Sequence, residues 1–530
     1  MPAISSEKET SDVRLDSRGQ RLLPSVIEQL ASDVPEKAWA SIPLSADIKA
    51  GFKDISFRQL AKVIDALAWW IESRIGRSST FEPAAYLGNT IGGHLELLNQ
   101  TDCTKFLYSS GPNVDELIDA KPDLIAFKIP ELEELLAEKD APRYPYDKSF
   151  EEAQFDPFMI IHTSGTTGKP RPIVWSHSIY ATVDAQSIPE TLGGRENIYA
   201  PMGRCKRHFS TMPVAHSSSF VRFLRCLLLG VTFVVLPGRA IGTDPESIAI
   251  VADVLDYGNV DAAHFVPGIL ELLSRDSHHL RRLSKLGFIG WGGGPISKST
   301  GEILSWGCKN TVFHNSLGSS DGGAYVTYRT DPEDWEYICY CPYSNGIEWR
   351  DHGDGLYEMV VVKDLKLSLF QGPFKIHPKL QEWSTKDLYS KHPTKPYHWR
   401  HESRIDDLMV FANGSKFNPA RLQSLVQEHP DVWSAVVTAG STRVRASLII
   451  ELRDSEINYG KREEILEEIW NIVLKVNETS PIQGQIWKSL ILIAPPTKPF
   501  PRASKGTVQI TATVELFKTE LNDLYEAATA

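Results

Sequence analysis

The chain has 530 residues, of which 42% are hydrophobic, and its formal net charge is −11. This length exceeds what one hydrophobic core usually supports, so we expect a soluble globular protein with two or more domains. The acidic balance argues against a nucleic-acid-binding or membrane-binding surface, because both usually need a basic excess. Six cysteines without a CxxC pair predict neither a zinc site nor a disulfide framework, and we expect a reducing, cytoplasmic location.

The N-terminal segment is polar and lacks the apolar region of a secretion signal, so residues 1–20 are predicted to be a disordered lead-in. Residues 56–75 repeat apolar side chains at helical spacing and end at Gly76, which predicts a helix facing the core. The most apolar stretch, 223–236, contains Arg225 and Gly230 and is shorter than the ~20 residues that cross a bilayer. It predicts a buried helix end followed by a strand.

Between residues 150 and 330, short apolar runs alternate with helical segments. The pattern predicts strands at 157–162, 261–266, 287–291 and 311–314, and helices at 176–187, 267–274 and 297–306. Such a βαβ rhythm indicates a largely parallel sheet that is covered by helices. Ligands are then expected outside the carboxyl ends of the strands.

A loop rich in glycine, serine and threonine follows the first of these strands. Small residues there expose backbone N–H groups and hydroxyls, and Lys169 adds one cation, so the loop is suited to hold phosphate. It is not a Walker A loop, because Thr163 stands where that motif needs its first glycine and Pro170 stands where it needs Ser or Thr. The predicted phosphate-binding residues are Thr163, Ser164, Gly165, Thr166, Thr167, Gly168 and Lys169.

The pattern of predicted helices and strands changes near residue 400. The later part predicts helices at 418–429 and 461–477 and strands at 433–439, 444–451 and 489–493, which indicates a small α+β domain. We therefore expect a lead-in at 1–20, an α/β core at 21–402 and a small domain at 403–530.

The run TSGTTGKP at 163–170 resembles the phosphate-binding motif of the adenylate-forming superfamily. This superfamily includes acyl-CoA synthetases, luciferases and the adenylation domains of nonribosomal peptide synthetases (NRPS). The resemblance implies a large α/β core followed by a small, mobile α+β domain, with ATP/AMP and Mg²⁺ as cofactors. Nearly the whole chain is similar to the adenylation domains of fungal NRPS-like synthetases of the carboxylic acid reductase type.

Further motifs occur in the order in which the superfamily has them. MPVAH at 212–216 resembles the acyl-pocket segment, WGGGPIS at 291–297 resembles a turn against adenine and substrate, and HNSLGSSD at 314–321 resembles the N-x-x-G-x-T-E segment. By resemblance, Asp321 would bind Mg²⁺, although the family normally has glutamate there. The implied acyl-pocket residues are His216, Phe265, Val266, Trp291 and Gly318.

Three C-terminal motifs complete the comparison. By resemblance, Asp387 would bind the ribose, Asp406 would be the hinge, and Lys505 would be the catalytic lysine. The chain departs from the family at Lys386 and Ser403, which replace glycines, and at Ile510, where an arginine is common. Outside the loop, the implied nucleotide-binding residues are Gly293, Gly294, Pro295, Asn315, Ser320, Asp387 and Arg404. Each motif alone also fits an ordinary turn, loop or charged surface segment, but their order over about 350 residues favours the family.

The resemblance implies that a carboxylic acid is converted to acyl-AMP with release of pyrophosphate. The acyl group would then pass to the phosphopantetheine thiol of a carrier domain, in cis or in trans. The stretch at 215–219 supplies no carboxylate for an α-ammonium group, so an aryl or aryl α-keto acid is favoured over an α-amino acid. The alternatives are a stand-alone CoA ligase, a luciferase-like oxygenase and a degenerate nucleotide-binding protein without catalysis.

Overall fold

We describe the fold from a computed structural model. It covers residues 17–78, 81–86, 91–109, 114–138, 141–163, 170–214, 216–236, 241–410, 416–439, 445–453, 455–502 and 508–529. Within these ranges, no helix is both long enough and apolar enough to cross a membrane.

A seven-stranded sheet forms the centre of the core. Its strands, in spatial order, are Val312–Ser316, Phe288–Gly292, Ala262–Phe265, Arg207–Ser210, Thr232–Val234, Ala38–Pro43 and Phe52–Ser56. All neighbours are parallel except the last two strands, which are antiparallel. The prediction of a mainly parallel α/β sheet is thus confirmed. Runs such as Phe288–Gly292 are buried throughout, as expected for strands covered on both faces.

Helices cover this sheet, and the longest of them begin at clear caps. Ser56 and Gln59 form a capping box before Phe57–Ile75, and Gly76 ends that helix as predicted. Gly230, at φ 66°, ends Ser217–Leu229 before a buried strand, which confirms the helix-to-strand prediction at 223–236. The core helices are Leu23–Asp33, Phe57–Ile75, Ile91–Gln100, Asp115–Ala120, Leu132–Ala137, Phe150–Ala153, His177–Ala185, Tyr199–Gly203, Ser217–Leu229, Pro245–Tyr257, Pro267–Arg275, Ser277–Leu283, Lys298–Gly307 and Pro373–Ile376.

The strand before the phosphate loop does not belong to the parallel sheet. Pro157–Thr163 pairs with Arg171–Ser176 in a separate antiparallel hairpin. The loop therefore joins two antiparallel strands, whereas the sequence predicted a strand followed by a helix. The predicted helix begins only after the second strand, at His177–Ala185.

Two further sheets lie in the core. A parallel one contains Ala84–Tyr86, Lys105–Tyr108 and Ile125–Lys128. An antiparallel one contains, in spatial order, Thr327–Tyr328, Tyr337–Tyr340, His398–Arg404, Glu382–Lys391, Leu356–Val362 and Ile347–Gly353. Short two-stranded ribbons are Thr191–Leu192 with Arg195–Glu196, Gly318–Ser319 with Gly323–Ala324, and Met409–Val410 with Lys416–Phe417.

The C-terminal part has its own sheet and core, as the predicted small α+β domain requires. The sheet contains Val432–Thr438, Ser447–Leu452 and Ile491–Ile493. The helices are Pro419–Gln427, Ser455–Asn458, Arg462–Asn477, Ile510–Leu516 and Lys518–Thr529. Leu422, Ile450 and Ile469 are fully buried together in its main apolar cluster.

Part of the predicted disordered lead-in is ordered, and its residues 1–16 lie outside the described residues. Arg18 Nη1 donates to the carbonyl of Ser187 over 2.9 Å, and Gly19 N donates to Asp184 Oδ2 over 2.8 Å. Residues 17–20 are therefore part of the packed core.

Candidate active site

The phosphate-loop hairpin meets the Ser320–Asp321 turn. Trp175 Nε1 donates to the carbonyl of Ser320 over 3.1 Å, and Arg171 Nη2 lies 2.6 Å from Asp321 Oδ2. Both contacts come from the hairpin strand that follows the loop. They bring the end of the predicted phosphate site next to the predicted Mg²⁺ ligand.

The N-terminus of the Ser217–Leu229 helix reaches the same turn. His216 is its N-cap and accepts a hydrogen bond from Ser218 N at Nδ1 over 3.2 Å. The neighbouring Ser217 hydroxyl lies 2.9 Å from the hydroxyl of Ser320. His216, predicted to border the acyl pocket, therefore lies at the helix N-terminus, directly before the serine that contacts the turn.

Asp321 is a largely buried carboxylate with two contrasting oxygens. Oδ2 faces Arg171, whose side chain is 64% exposed, whereas Oδ1 is buried and has no hydrogen-bond partner among the described residues. His377 Nε2 lies 3.7 Å from Oδ1, and its ring stacks on Trp383 at a centroid distance of 5.1 Å. The unpaired Oδ1 is a hard oxygen donor of the kind that Mg²⁺ prefers. Sequence reasoning missed Arg171, His377 and Trp383, although Arg171 stands only two residues after the predicted loop.

The glycine-rich turn after Phe288–Gly292 has a backbone conformation that a side chain at Gly293 would strain. Gly293 has φ +86°, a left-handed conformation, and a Cβ there would lie 3.2 Å from Met212 Cε. The turn continues through Gly294 and Pro295 to Ser297, which caps the Lys298–Gly307 helix by accepting from Thr300 N. A side chain at Gly293 would therefore be strained, while the approach of adenine and substrate to this turn stays a prediction.

Two more predicted residues lie on the strand and ribbon before the turn at Ser320. Asn315 is in Val312–Ser316, and its Nδ2 donates to the carbonyl of Glu336 over 3.2 Å. Gly318 is exposed in a short ribbon, where a Cβ would lie 2.7 Å from the carbonyl of Gly323. Both residues are thus within a few positions of Ser320 along the chain.

The aromatic part of the predicted acyl pocket is not supported. Phe265 and Trp291 are at most 1% exposed and belong to the apolar core on one face of the sheet. The opposite face carries Gly290 and Gly292, because successive side chains of a strand alternate between faces. Val266 lies at the carboxyl end of its strand, where its N–H donates to Thr211 Oγ1 over 2.9 Å. Of these three predicted residues, only Val266 remains at the edge where a ligand is expected.

Asp387 follows a bulge in the antiparallel sheet. Lys386 adopts φ +60° there, and the register shifts opposite Met359. The left-handed turn expected for a glycine is therefore formed with lysine in its place. Asp387 Oδ1 lies 3.4 Å from His401 Nε2 and 3.5 Å from Arg404 Nη1. The predicted ribose ligand and the predicted nucleotide-facing arginine are thus neighbours.

The predicted hinge residue is held by two cations. Asp406 lies in the short 3₁₀ turn Ile405–Asp407, with Oδ1 3.2 Å from Lys386 Nζ and Oδ2 3.6 Å from Arg404 Nη2. Lys386, which departs from the family pattern, therefore contacts the hinge. Ser403, the second departure, has a buried hydroxyl without a partner among the described residues.

The two ends of the segment that carries Lys505 are joined. Arg502 and Val508 form an antiparallel bridge, and Gln509 N donates to the carbonyl of Pro501 over 2.8 Å. Arg502 also pairs with buried Glu451 and lies over the ring of Trp433 at 4.2 Å. Lys505 itself lies outside the described residues, as do Ser164, Gly165, Thr166, Thr167, Gly168 and Lys169.

Comparison with known proteins agrees with this geometry. Residues 96–347 match the family model for the AMP-binding enzyme, and residues 406–529 match that for the AMP-binding enzyme C-terminal domain. A carboxylic acid reductase from Neurospora crassa is 31% identical over 545 residues, which cover 96% of this chain and 51% of the relative. This chain thus spans about half the length of that relative.

Solved structures share the fold. The adenylation domain of a carboxylate reductase from Mycobacterium chelonae has a TM-score of 0.65 at 13% identity, covering 99% of this chain and 98% of that one. O-succinylbenzoate coenzyme A synthetase from Bacillus subtilis, in complex with ATP and magnesium ion, has a TM-score of 0.64 at 16% identity, covering 92% and 98%. Both matches extend over core and small domain alike. Together with the ordered motifs and the two family matches, they show that the chain belongs to the adenylate-forming superfamily of AMP-binding enzymes.

Proposed function

We propose that this chain activates a carboxylic acid with ATP and then transfers the acyl group to the phosphopantetheine thiol of a carrier domain. The acid carries no α-amino group in this proposal. The observation that supports it most is the junction at Ser320 and Asp321. There the phosphate-loop hairpin, through Trp175 and Arg171, and the helix N-terminus, through Ser217, meet a single turn.

This junction suits MgATP. Phosphate is favoured at a helix N-terminus and beside the exposed guanidinium of Arg171. The described residues contain no cluster of three His, Cys, Asp or Glu side chains that would form an all-protein metal cage. Mg²⁺ often binds through one or two carboxylates together with substrate phosphates, so Asp321 fits, because its Oδ1 accepts no hydrogen bond from the residues that the structure describes. When bound, the ion would supply positive charge beside the phosphates.

The chemistry consists of two displacements. In the first, a carboxylate oxygen of the acid attacks the α-phosphorus of ATP, the bond to the bridging oxygen breaks, and pyrophosphate leaves. In the second, the carrier thiolate attacks the acyl carbon and AMP leaves. Lys505 is our candidate for the cation that stabilises the charge that develops at the reacting centre. No nucleophile from the protein is needed, so catalysis depends on positioning and electrostatics.

The acid is proposed to be other than an α-amino acid. The segment 212–219 provides no carboxylate for an ammonium group. The aryl or aryl α-keto preference is weaker than the sequence suggested, because Phe265 and Trp291 belong to the core while His216 and Val266 stay near the strand ends. Aryl acids and aryl α-keto acids are therefore tested together with aliphatic acids.

The test is carboxylate-dependent exchange of pyrophosphate into ATP across aryl, α-keto, fatty, dicarboxylic and amino acids. We expect exchange with one class and its loss in Lys505→Ala. Lys518→Ala is the matched control, because Lys518 is an exposed lysine of the same domain that pairs with Glu515. ATP binding without exchange for any acid would contradict catalysis and favour a degenerate nucleotide-binding protein.

The acceptor is tested separately with the accepted acid. Acyl transfer to a phosphopantetheinylated carrier, with little transfer to free CoA, is the expected result. Efficient transfer to free CoA alone would instead identify a stand-alone CoA ligase.

A further inference from the structure

Arg222 is a buried guanidinium that has no carboxylate partner among the described residues. The residue is 4% exposed and lies in the middle of the Ser217–Leu229 helix. Its Nη2 donates to His264 Nε2 over 2.6 Å and to Ser316 Oγ over 2.8 Å. Its Nε is buried without a partner, and no carboxylate pairs with it in the part of the chain that the structure describes.

The described residues around Arg222 add no negative charge. His208, His264 and His314 are buried on the same face of the sheet, and burial, reinforced by the nearby arginines, lowers the pKa of each. These histidines are therefore neutral at pH 7. The second buried cation, Arg225, is satisfied by the Tyr199 hydroxyl and the Gln186 side chain. Burying a cation without a counter-charge is energetically costly, so an anion beside Arg222 would be strongly favoured.

The position of Arg222 is at the ligand edge of the sheet. Its two partners come from the strands on either side of Phe288–Gly292, and that strand presents glycines on this face. A Cβ at Gly292 would lie 2.6 Å from Ser316 Oγ, and one at Gly290 would lie 2.4 Å from His264 Nδ1. Because Gly290 and Gly292 have no side chains, His264 and Ser316 have space beside this strand. Gly293, the next residue, begins the turn already assigned to the candidate site.

We propose that Arg222 binds a second carboxylate of the acid substrate, so that the site selects dicarboxylic acids over monocarboxylic acids of the same skeleton. This inference rests on the proposed function and specifies its substrate class. His264 and Ser316 orient the guanidinium, and they are positioning residues. The competing explanation is that Arg222 only ties the helix to the sheet.

The experiment compares matched acids that differ by one carboxylate. The pairs are phenylacetate with 4-carboxyphenylacetate and hexanoate with adipate, each tested in pyrophosphate exchange. We expect kcat/KM to favour the diacid of at least one pair by about 100-fold or more. Arg222→Met should abolish that preference while leaving exchange with the monoacid, and Arg222→Lys should keep part of it. Arg225→Lys, one helical turn away, is the control and should leave the preference unchanged.

A binding measurement separates this inference from the proposed function. The diacid should raise the Tm of the wild-type protein without ATP, and Arg222→Met should remove that rise. If no acid supports exchange but this Arg222-dependent rise occurs, the proposed function fails and the dicarboxylate site stands. The inference is overturned if the wild type prefers no diacid in either measurement. It is also overturned if Arg222→Met reduces exchange with both acids of a pair equally, because that result indicates a purely structural tie.

Discussion

At the scale of single residues, Asp321 is where this chain departs from the glutamate that the family normally has. The carboxylate is mostly buried, it pairs with exposed Arg171 through one oxygen, and its other oxygen has no hydrogen-bond partner in the described part of the chain. Although aspartate is one methylene shorter than glutamate, its carboxylate still contacts the phosphate-loop hairpin. The substitution is therefore compatible with a working ion site.

Replacing Asp321 with Asn should raise the Mg²⁺ concentration for half-maximal pyrophosphate exchange. The loss of a charged oxygen ligand costs about 1.5–3 kcal/mol, which corresponds to about tenfold or more. Asp321→Glu is the matched control and should stay near the wild-type value. Equal Mg²⁺ dependence of Asp321→Asn and wild type would exclude this carboxylate as an ion ligand.

At the scale of elements, the bulge at Lys386 combines backbone strain with an ion pair. The residue has φ +60° and reaches Asp406 over 3.2 Å, although both side chains are more than a third exposed. Such an exposed pair stabilises the fold by less than about 1 kcal/mol. Its more specific effect is that it links the bulge beside Asp387 to the proposed hinge.

Lys386→Gly and Lys386→Gln separate the strain from the ion pair. Both lose the pair, but only Gly relieves the left-handed conformation. Lys386→Gly should therefore be more stable than Lys386→Gln by about 0.5–1 kcal/mol, after its greater loss of backbone entropy is subtracted. Urea unfolding under matched conditions measures this difference. A glutamine variant as stable as the glycine variant would show that the bulge imposes no strain.

The hinge itself is tested at Asp406. Proline at this position fixes φ in the 3₁₀ turn and should obstruct the rotation of the small domain that resemblance implies between the two half-reactions. We expect Asp406→Pro to spare pyrophosphate exchange and to slow thioester formation by at least about tenfold. Asp406→Ala controls for loss of the carboxylate alone. Equal loss of both half-reactions in Asp406→Pro would contradict a hinge here.

The sequence predicted four of the seven strands of the sheet, because buried strands such as Phe288–Gly292 are short apolar runs between helical segments. It did not predict Ala38–Pro43, Phe52–Ser56 or Arg207–Ser210. It did not predict the antiparallel pairing of Pro157–Thr163, since local pattern does not determine which strand becomes a neighbour. It also placed Phe265 and Trp291 in the acyl pocket, whereas both are buried in the apolar core on one face of the sheet. Both faces of a parallel sheet are apolar, so hydrophobicity did not distinguish them. The alternation of glycine with large residues at 289–292, and an arginine inside an apolar helix, were the available signals.

At the scale of the whole molecule, buried histidines make stability depend on pH. Burial lowers the pKa of His208 to about 3 and lowers those of His264 and His314 below the ordinary 6.5, with Arg222 and Arg225 adding to the effect. Between pH 6.5 and the folded-state values, the unfolded chain binds protons that the folded chain does not. The stability from these groups is thus complete above pH 6.5 and is lost as pH falls.

We therefore expect the free energy of unfolding to fall by up to roughly 4 kcal/mol per pH unit below pH 6 from three such groups. His208→Leu should reduce that slope by about 1.4 kcal/mol per pH unit, because one proton is removed from the balance. The exposed His278→Gln is the control. Denaturant unfolding between pH 4.5 and pH 7.5 measures the slopes, and an unchanged slope in His208→Leu would contradict the assignment.

The anchored base of the Lys505 segment has a mechanical consequence. Its two ends are bridged to each other, and Arg502 ties them to a buried glutamate of the small domain's own sheet. If Lys505 acts on the α-phosphate, its distance from that phosphate depends on the orientation of the small domain, to which both ends of its segment are attached. A rotation of the domain would then switch the chemistry on or off.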